Sequence, residues 1–249
     1  MLGAAFVLRA VGDMAKVGGG TLGWGFGILA LWVINGLFTQ AMLDAGDTMP
    51  SELQAVFSTE QLLDGYISFL GPFVGMLVTA YVVYAVQTLR TEEHFGHAAV
   101  VLATPVSRPG WLSAHVTVVA IGALLILVGT GIAAAAVTRN GALLGDVVAS
   151  HLAAAILAVL GPAAGCFGVV PRVMTLVCWL VVAVIAIVDS FADLLDLPQW
   201  FRALSPLWHL PTVPVDDFAL LPTAVLLGIA VVIAGIGLCG FRRREINVN

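Results

Sequence analysis

Charge is what this sequence has least of. Only 10% of its 249 residues are Asp, Glu, Lys or Arg, and lysine occurs once, at Lys16. Soluble domains carry about 25% charged residues, because a folded surface needs polar groups to face water. Ten basic and fifteen acidic side chains cannot cover a chain that is 60% hydrophobic, with a mean hydropathy of +1.05. The apolar surface must face lipid. Basic residues are too few and too scattered for a nucleic-acid interface, which needs a concentrated basic face. Cysteine is also scarce: Cys166, Cys178 and Cys239 all lie within apolar runs. That arrangement offers neither a disulfide framework nor metal-ligand spacing. A phosphate-binding loop is missing as well, since Lys16 is followed by Val17 and not by the Ser or Thr that such a loop requires. If ATP drives this protein, another chain binds it. Arg9, Asp13 and Lys16 interrupt the first apolar residues, so no continuous signal-peptide core is visible. Residues 1–20 read instead as an amphipathic segment on the membrane surface.

What is present is long apolar sequence. A membrane-spanning helix needs about 20 mostly apolar residues, and only helices or closed barrels satisfy their own backbone inside lipid. Alternating strands of barrel type are not visible. Six stretches qualify as helices: Leu22 to Met42, Ile67 to Leu89, Trp111 to Val137, Val147 to Val170, Val173 to Leu194, and Leu220 to Phe241. The expected fold is an all-α integral membrane protein, one domain over residues 1–249. Pro171-Arg172 marks the turn between the fourth and fifth spans. Gly71-Pro72 and Gly161-Pro162 predict kinks. Gly23 with Gly27, Gly71 with Gly75, and Gly161 with Gly165 have the spacing that lets helices approach closely in lipid.

The basic residues orient the bundle. With six spans and the N-terminus inside, Arg9, Lys16, Arg90, Arg108, Arg172 and Arg242 to Arg244 are cytoplasmic, and only Arg139 and Arg202 are outside. Positive charge collects on the cytoplasmic side, so both termini are placed there. The connection from Leu43 to Tyr66 is external and patterned as a short amphipathic helix (Leu53, Val56, Phe57). Thr138 to Asp146 is a short external turn, and Leu195 to Ala219 is an external segment rich in proline and aromatics. Trp200 and Trp208 suit the membrane–water interface, where that segment would fold back along the outer leaflet or stand as an aromatic loop.

Chemistry-bearing residues are few. Glu92, Glu93, His94 and His97 are the one cluster that a metal would favour, with Glu93 and His97 on one helix face. The paired glutamates resemble those of membrane-embedded prenyl proteases, but His97 stands where that family has arginine. A solvated polar helix end accounts for the cluster without a metal. Asp189, with Asp193 a turn later, is the leading intramembrane ionisable candidate, although its place near an outer end also allows simple exposure.

The connection from Arg90 to Gly110 carries the most information. Arg90-Thr91-Glu92-Glu93-His94-Phe95-Gly96-His97, then Leu102-Ala103-Thr104-Pro105-Val106-Ser107-Arg108, resembles the first cytoplasmic loop of type-2 ABC exporter permeases. The resemblance is closest to actinobacterial antibiotic and polyketide exporters. Leu204-Ser205-Pro206 with His209-Leu210-Pro211, and Gly240-Phe241-Arg242-Arg243-Arg244-Glu245-Ile246, are similar to that family's last external segment and C-terminal end. The resemblance implies a permease subunit, not an enzyme, in the bacterial cytoplasmic membrane. A separate ABC ATPase would bind ATP and Mg, and the cargo would be hydrophobic or amphipathic. It further implies that Arg90, Glu92, Glu93, Gly96, His97, Thr104, Pro105, Val106, Ser107 and Arg108 form a coupling helix and loop docked on the ATPase. On this reading Glu92 and Glu93 pair with basic ATPase residues, Val100, Val101 and Leu102 supply apolar contact, Pro105 stops the helix, and Ser107 caps the next one. His97 and Ala99 depart from the family, which has arginine and commonly an acid there. Many members hold twelve spans in one chain, and this chain resembles the second half. A homodimer, a pairing with another half-permease, and a truncated form all fit. An intramembrane metalloprotease using Glu92 and Glu93, and a non-transporting membrane scaffold, are the competing readings.

Overall fold

The computed structural model describes residues 19–35, 37–38, 41, 59–138, 141, 145, 148, 160–192, 195–209 and 220–243, with the backbone alone over 59–72, 137–138 and 220. Every long element among them is a helix. α1 is Gly19–Asn35, α2 is Thr59–His94 and α3 is the six-residue His97–Leu102. α4 is Arg108–Thr138 and α5 is Gly161–Val169. A 3-10 turn at Pro171–Val173 leads into α6, Met174–Phe191. The short α7, Gln199–Arg202, and a 3-10 turn at Leu207–His209 precede α8, Leu220–Arg243.

Four of these helices are long and apolar enough to cross a bilayer: Phe73–His94, Arg108–Ala136, Pro171–Phe191 and Leu221–Arg243. They correspond to the second, third, fifth and sixth expected spans. α1 and α5 are the described parts of the first and fourth. The interfacial segment before Gly19, residues 43–58 of the expected external connection (Leu43 to Tyr66), Asp193 and residues 210–219 lie outside the described residues. Both boundaries of the second span move: α2 begins at Thr59 and ends at His94, so the helix takes in residues 59–66 of the expected external connection and runs on past Leu89. Hydropathy sees the lipid-matched stretch, whereas the backbone continues as helix wherever nothing stops it. At Pro171 something does. Val170 leaves the helical conformation (φ −137°, ψ 70°), and the chain reverses between α5 and α6 where expected. Leu160, the residue before Gly161-Pro162, has π-helical geometry beside a proline that has no N–H for the ladder.

Packing fixes the direction of each helix. Thr21 meets Tyr81 and Gly122, Gly25 faces Ile126, and Leu29 faces Gly129, so α1 runs parallel to α4 and antiparallel to α2. Gly161, Gly165 and Gly168 meet Ala230, Ile233 and Gly237 in the same order, so α5 and α8 run parallel. Arg90, Arg108, Arg172, Arg242 and Arg243 therefore share one end of the bundle, and Arg202 stands at the other.

Among the described residues, the α5–α8 pair has the most extensive contact of any two elements. A methyl on Gly161 would come within 3.0 Å of the Ala230 backbone, and one on Gly168 would collide with the Gly237 carbonyl. The backbones themselves touch, as small residues in lipid allow. Elsewhere the core is built from side chains: Tyr81, Leu89, Trp111, Leu112, Leu127, Phe167 and Ile185 are fully buried. Several of its polar members are hydrogen-bonded. Thr79 and Thr130 donate to the carbonyls of Gly75 (2.6 Å) and Ile126 (2.7 Å), and Thr21 shares a 2.8 Å hydrogen bond with Tyr81. Outward-facing positions on α6 and α8 are Leu176, Leu180, Ile187, Leu221, Val225, Ile229, Val232 and Ile236, a surface suited to lipid and not to water.

Candidate functional site

At the arginine end, α2 and α4 are joined by a folded connection and not by a slack loop. Phe95 and Gly96 N–H groups bond to Thr91 O and Glu93 O (3.1 Å each), which closes α2. Gly96 sits in the left-handed region (φ 74°), where a side chain would be strained, and this reverses the chain into α3. α3 ends at Ala103, whose N–H reaches Ala99 O at 3.0 Å, and the Thr104 hydroxyl donates to Val101 O at 2.5 Å. Pro105 occupies a tight turn closed by Val106 N–H to Thr104 O (2.7 Å). Ser107 then caps α4: its hydroxyl oxygen accepts from Gly110 N–H (3.2 Å), with Arg108 and Pro109 opening the helix.

Exposure sorts the residues of the connection into three groups. Phe95 (66%) and Val100 (71%) stand out as apolar side chains in solvent, beside exposed His97, Thr104, Pro105 and Ser107. Arg90, Glu93, Gly96, Val106 and Arg108 are half-buried. Glu92 is buried at 8% exposure, with Oε1 3.7 Å from His97 Nδ1 across the Gly96 turn. Of the apolar trio, only Val100 faces outward. Val101 and Leu102 pack inward against the core. Glu92 and Glu93 are adjacent in sequence, but successive helix positions point about 100° apart, so one turns in and the other does not.

Beneath this connection lies a group that sequence reasoning missed. Trp111, the first turn of α4, is fully buried with its ring 5.9 Å from Phe167 of α5 and 5.8 Å from Phe241 of α8; those two rings are 5.2 Å apart. One turn along α4, His115 Nε2 is 2.8 Å from the Thr88 hydroxyl of α2. Three aromatics from three distant stretches carry no common sequence signal; only the shared bundle end unites them. His94 and His97 are exposed and His115 is engaged with Thr88, and the described residues contain no group of three or more His, Cys, Asp or Glu side chains that would hold a metal.

The opposite end is also tied down. Arg202 Nε and NH2 donate to Leu197 O (2.8 Å) and Ala192 O (3.0 Å), closing the end of α6, while its guanidinium lies 5.7 Å from the Trp208 ring. Asp189 accepts a 3.0 Å hydrogen bond from Ser205, which is fully buried and accepts from Leu207 N–H. Asp189 thus fastens the segment after α6 onto that helix. Trp200, Leu204 and Trp208 remain exposed on it. Along the membrane, a groove of about 530 Å³ opens between α1 and α2, lined by Gly20, Gly23, Trp24, Gly27, Leu77 and Tyr84 among others.

Residues 16–242 match the family described as "Multidrug efflux system permease Rv1217c, C-terminal domain". A relative, the multidrug efflux system permease protein Rv1217c of Mycobacterium tuberculosis (strain ATCC 25618 / H37Rv), is 28% identical over 197 residues. That alignment takes in 76% of this chain and 35% of the relative, so the chain spans about a third of the length of the protein it matches.

Proposed function

The chain belongs to the family of the Rv1217c-type multidrug efflux permease C-terminal domain, and from that premise we propose that it is one permease half of an ATP-driven exporter. The arginine end is cytoplasmic: five of the six described arginines collect there, as positive charge does on the cytoplasmic side. Exposed Phe95 and Val100 on the α2–α3–α4 connection, rimmed by half-buried Glu93 and Arg108, form the seat of a separate ATPase subunit. Such a pair of apolar anchors with a charged rim has the composition of a protein interface. This exposed apolar step on a rigid connection is the observation that carries the reading. A spanning bundle ends there in water, and none of the described residues covers it.

ATP and Mg belong to the partner. This chain supplies the moving wall: ATPase closure pushes α3, and α2 and α4 carry the displacement into the membrane, where two permease halves enclose a path for hydrophobic or amphipathic cargo. The second half is either another copy or a different half-permease. Residues Arg90, Glu93, His97, Thr104, Pro105, Val106, Ser107 and Arg108 shape or rim the seat, while Glu92 and Gly96 hold its geometry from within.

The experiment is a pull-down from detergent extracts, comparing wild type with a Glu93→Lys/Val100→Asp variant. An ATPase captured by wild type and lost by the variant supports the seat. Capture by neither, after mild crosslinking in native membranes, returns the protein to the scaffold reading.

A further inference from the structure

Resting on the exporter reading, we propose that Trp111 is the positioning residue that passes motion of the α3 seat to the α5–α8 pair. Among the described residues α4 packs directly on α8 but shares no extended face with α5, and Trp111 places one ring against Phe167 of α5 and Phe241 of α8 together. It sits three residues beyond Arg108, on the first turn after the connection, and that turn is pinned by the Ser107 cap. The ring has nowhere to go: Trp111, Phe167 and Phe241 are each at most 1% exposed. Close-packed interiors transmit displacement and do not absorb it.

Two further contacts make this ring a lever and not merely core. On the input side, the Thr88–His115 hydrogen bond (2.8 Å) locks α2 to α4 one turn from Trp111, so a push on α3 moves both helices together. On the output side, α5 and α8 are in backbone contact from Gly161 to Gly168, and Gly240 lies 3.0 Å from the Gly168 carbonyl by the same criterion of an added methyl. Helices meshed that tightly cannot slide past one another. Displacing Phe167 and Phe241 therefore displaces the pair as one body. Cys239, two residues before Phe241, is exposed and reports on that body.

The test uses the permease purified with its captured ATPase, in a Cys166→Ser/Cys178→Ala background. Maleimide labelling of Cys239 is timed with and without ATP plus vanadate. With Trp111 intact, trapping the nucleotide changes the labelling rate by about threefold or more; Trp111→Leu removes that response while ATPase capture and hydrolysis persist, and Trp111→Phe keeps it. A purely structural role would change the labelling rate in both nucleotide conditions alike. The inference is overturned if the leucine variant responds as wild type does, or if wild type shows no response. Should the leucine variant fail to fold, Thr88→Val decides, with an expected loss of about half the response and an unchanged response overturning the proposal. Absence of any captured ATPase overturns the exporter reading itself, and this inference with it.

Discussion

Two glycine-bearing helix faces in this protein have the same sequence signature and opposite fates. Gly161 and Gly165 of α5, with Gly168, are consumed within the chain, pressed against Ala230, Ile233 and Gly237 of α8. Gly23 and Gly27 of α1 have the same spacing, yet a methyl group on either would meet nothing within 4 Å. One face is an internal weld and the other is the floor of an open groove. Spacing permits close approach, but a partner with matching small residues is what makes it happen. α8 offers Ala230, Gly237 and Gly240 in register, whereas α2 offers Leu77 and Tyr84, whose bulk holds the groove apart.

The contrast breaks most severely at Gly168. Gly168→Val drives a branched side chain into the Gly237 carbonyl and forces two backbones apart. The expected cost is about 3 kcal/mol, at the upper end for overpacking, read as loss of the monodisperse peak in size exclusion and a lower melting temperature. An unchanged melt would refute the weld. Gly122→Ala comes next, because its methyl would collide with the Tyr81 hydroxyl. A destabilisation of about 1–2 kcal/mol is expected, and Tyr81→Phe in the same protein should recover part of it, a coupling that a double-mutant cycle measures.

Tyr81→Phe alone removes the Thr21 hydrogen bond that holds α1 to α2. Such bonds within membranes contribute about 0.6 kcal/mol on average, so a shift of a few degrees in melting is expected, and the loss should be absent in a Thr21→Val background. The smallest effect belongs to the open face. Gly27→Ala should leave the melt unchanged or raise it slightly, by up to about 1 kcal/mol from helix propensity. A clear fall in stability of the isolated chain would show that the groove is closed by this chain after all.

Much of the architecture was legible before any coordinates. Apolar runs of membrane length announce themselves because lipid forbids unpaired backbone, and four of the six expected spans stand as full-length candidates. Pro171 as the turn and Ser107 as the cap were also legible, since each acts through its own backbone neighbourhood. The candidate site was legible by position and not by orientation. Glu92 and Glu93 look equivalent in sequence, yet one is buried beside His97 and the other is half-exposed. Val100, Val101 and Leu102 read as one apolar contact, and only the first faces outward. A six-residue helix has too few turns for periodicity to reveal its inner side.

The sequence by itself determined that this chain lives in a membrane, where its four full-length candidate spans lie, and which ends its arginines mark. Those are properties of local composition, decided by transfer of each segment between water and lipid. Tertiary structure alone decided which glycines touch, that Asp189 fastens onto Ser205, and that Trp111, Phe167 and Phe241 share one buried cluster. Such contacts join residues far apart along the chain, and they depend on how helices rotate about their axes once hydropathy has ceased to distinguish one face from another. In lipid nearly every face is apolar, so shape and the fit of small against large side chains choose the partners.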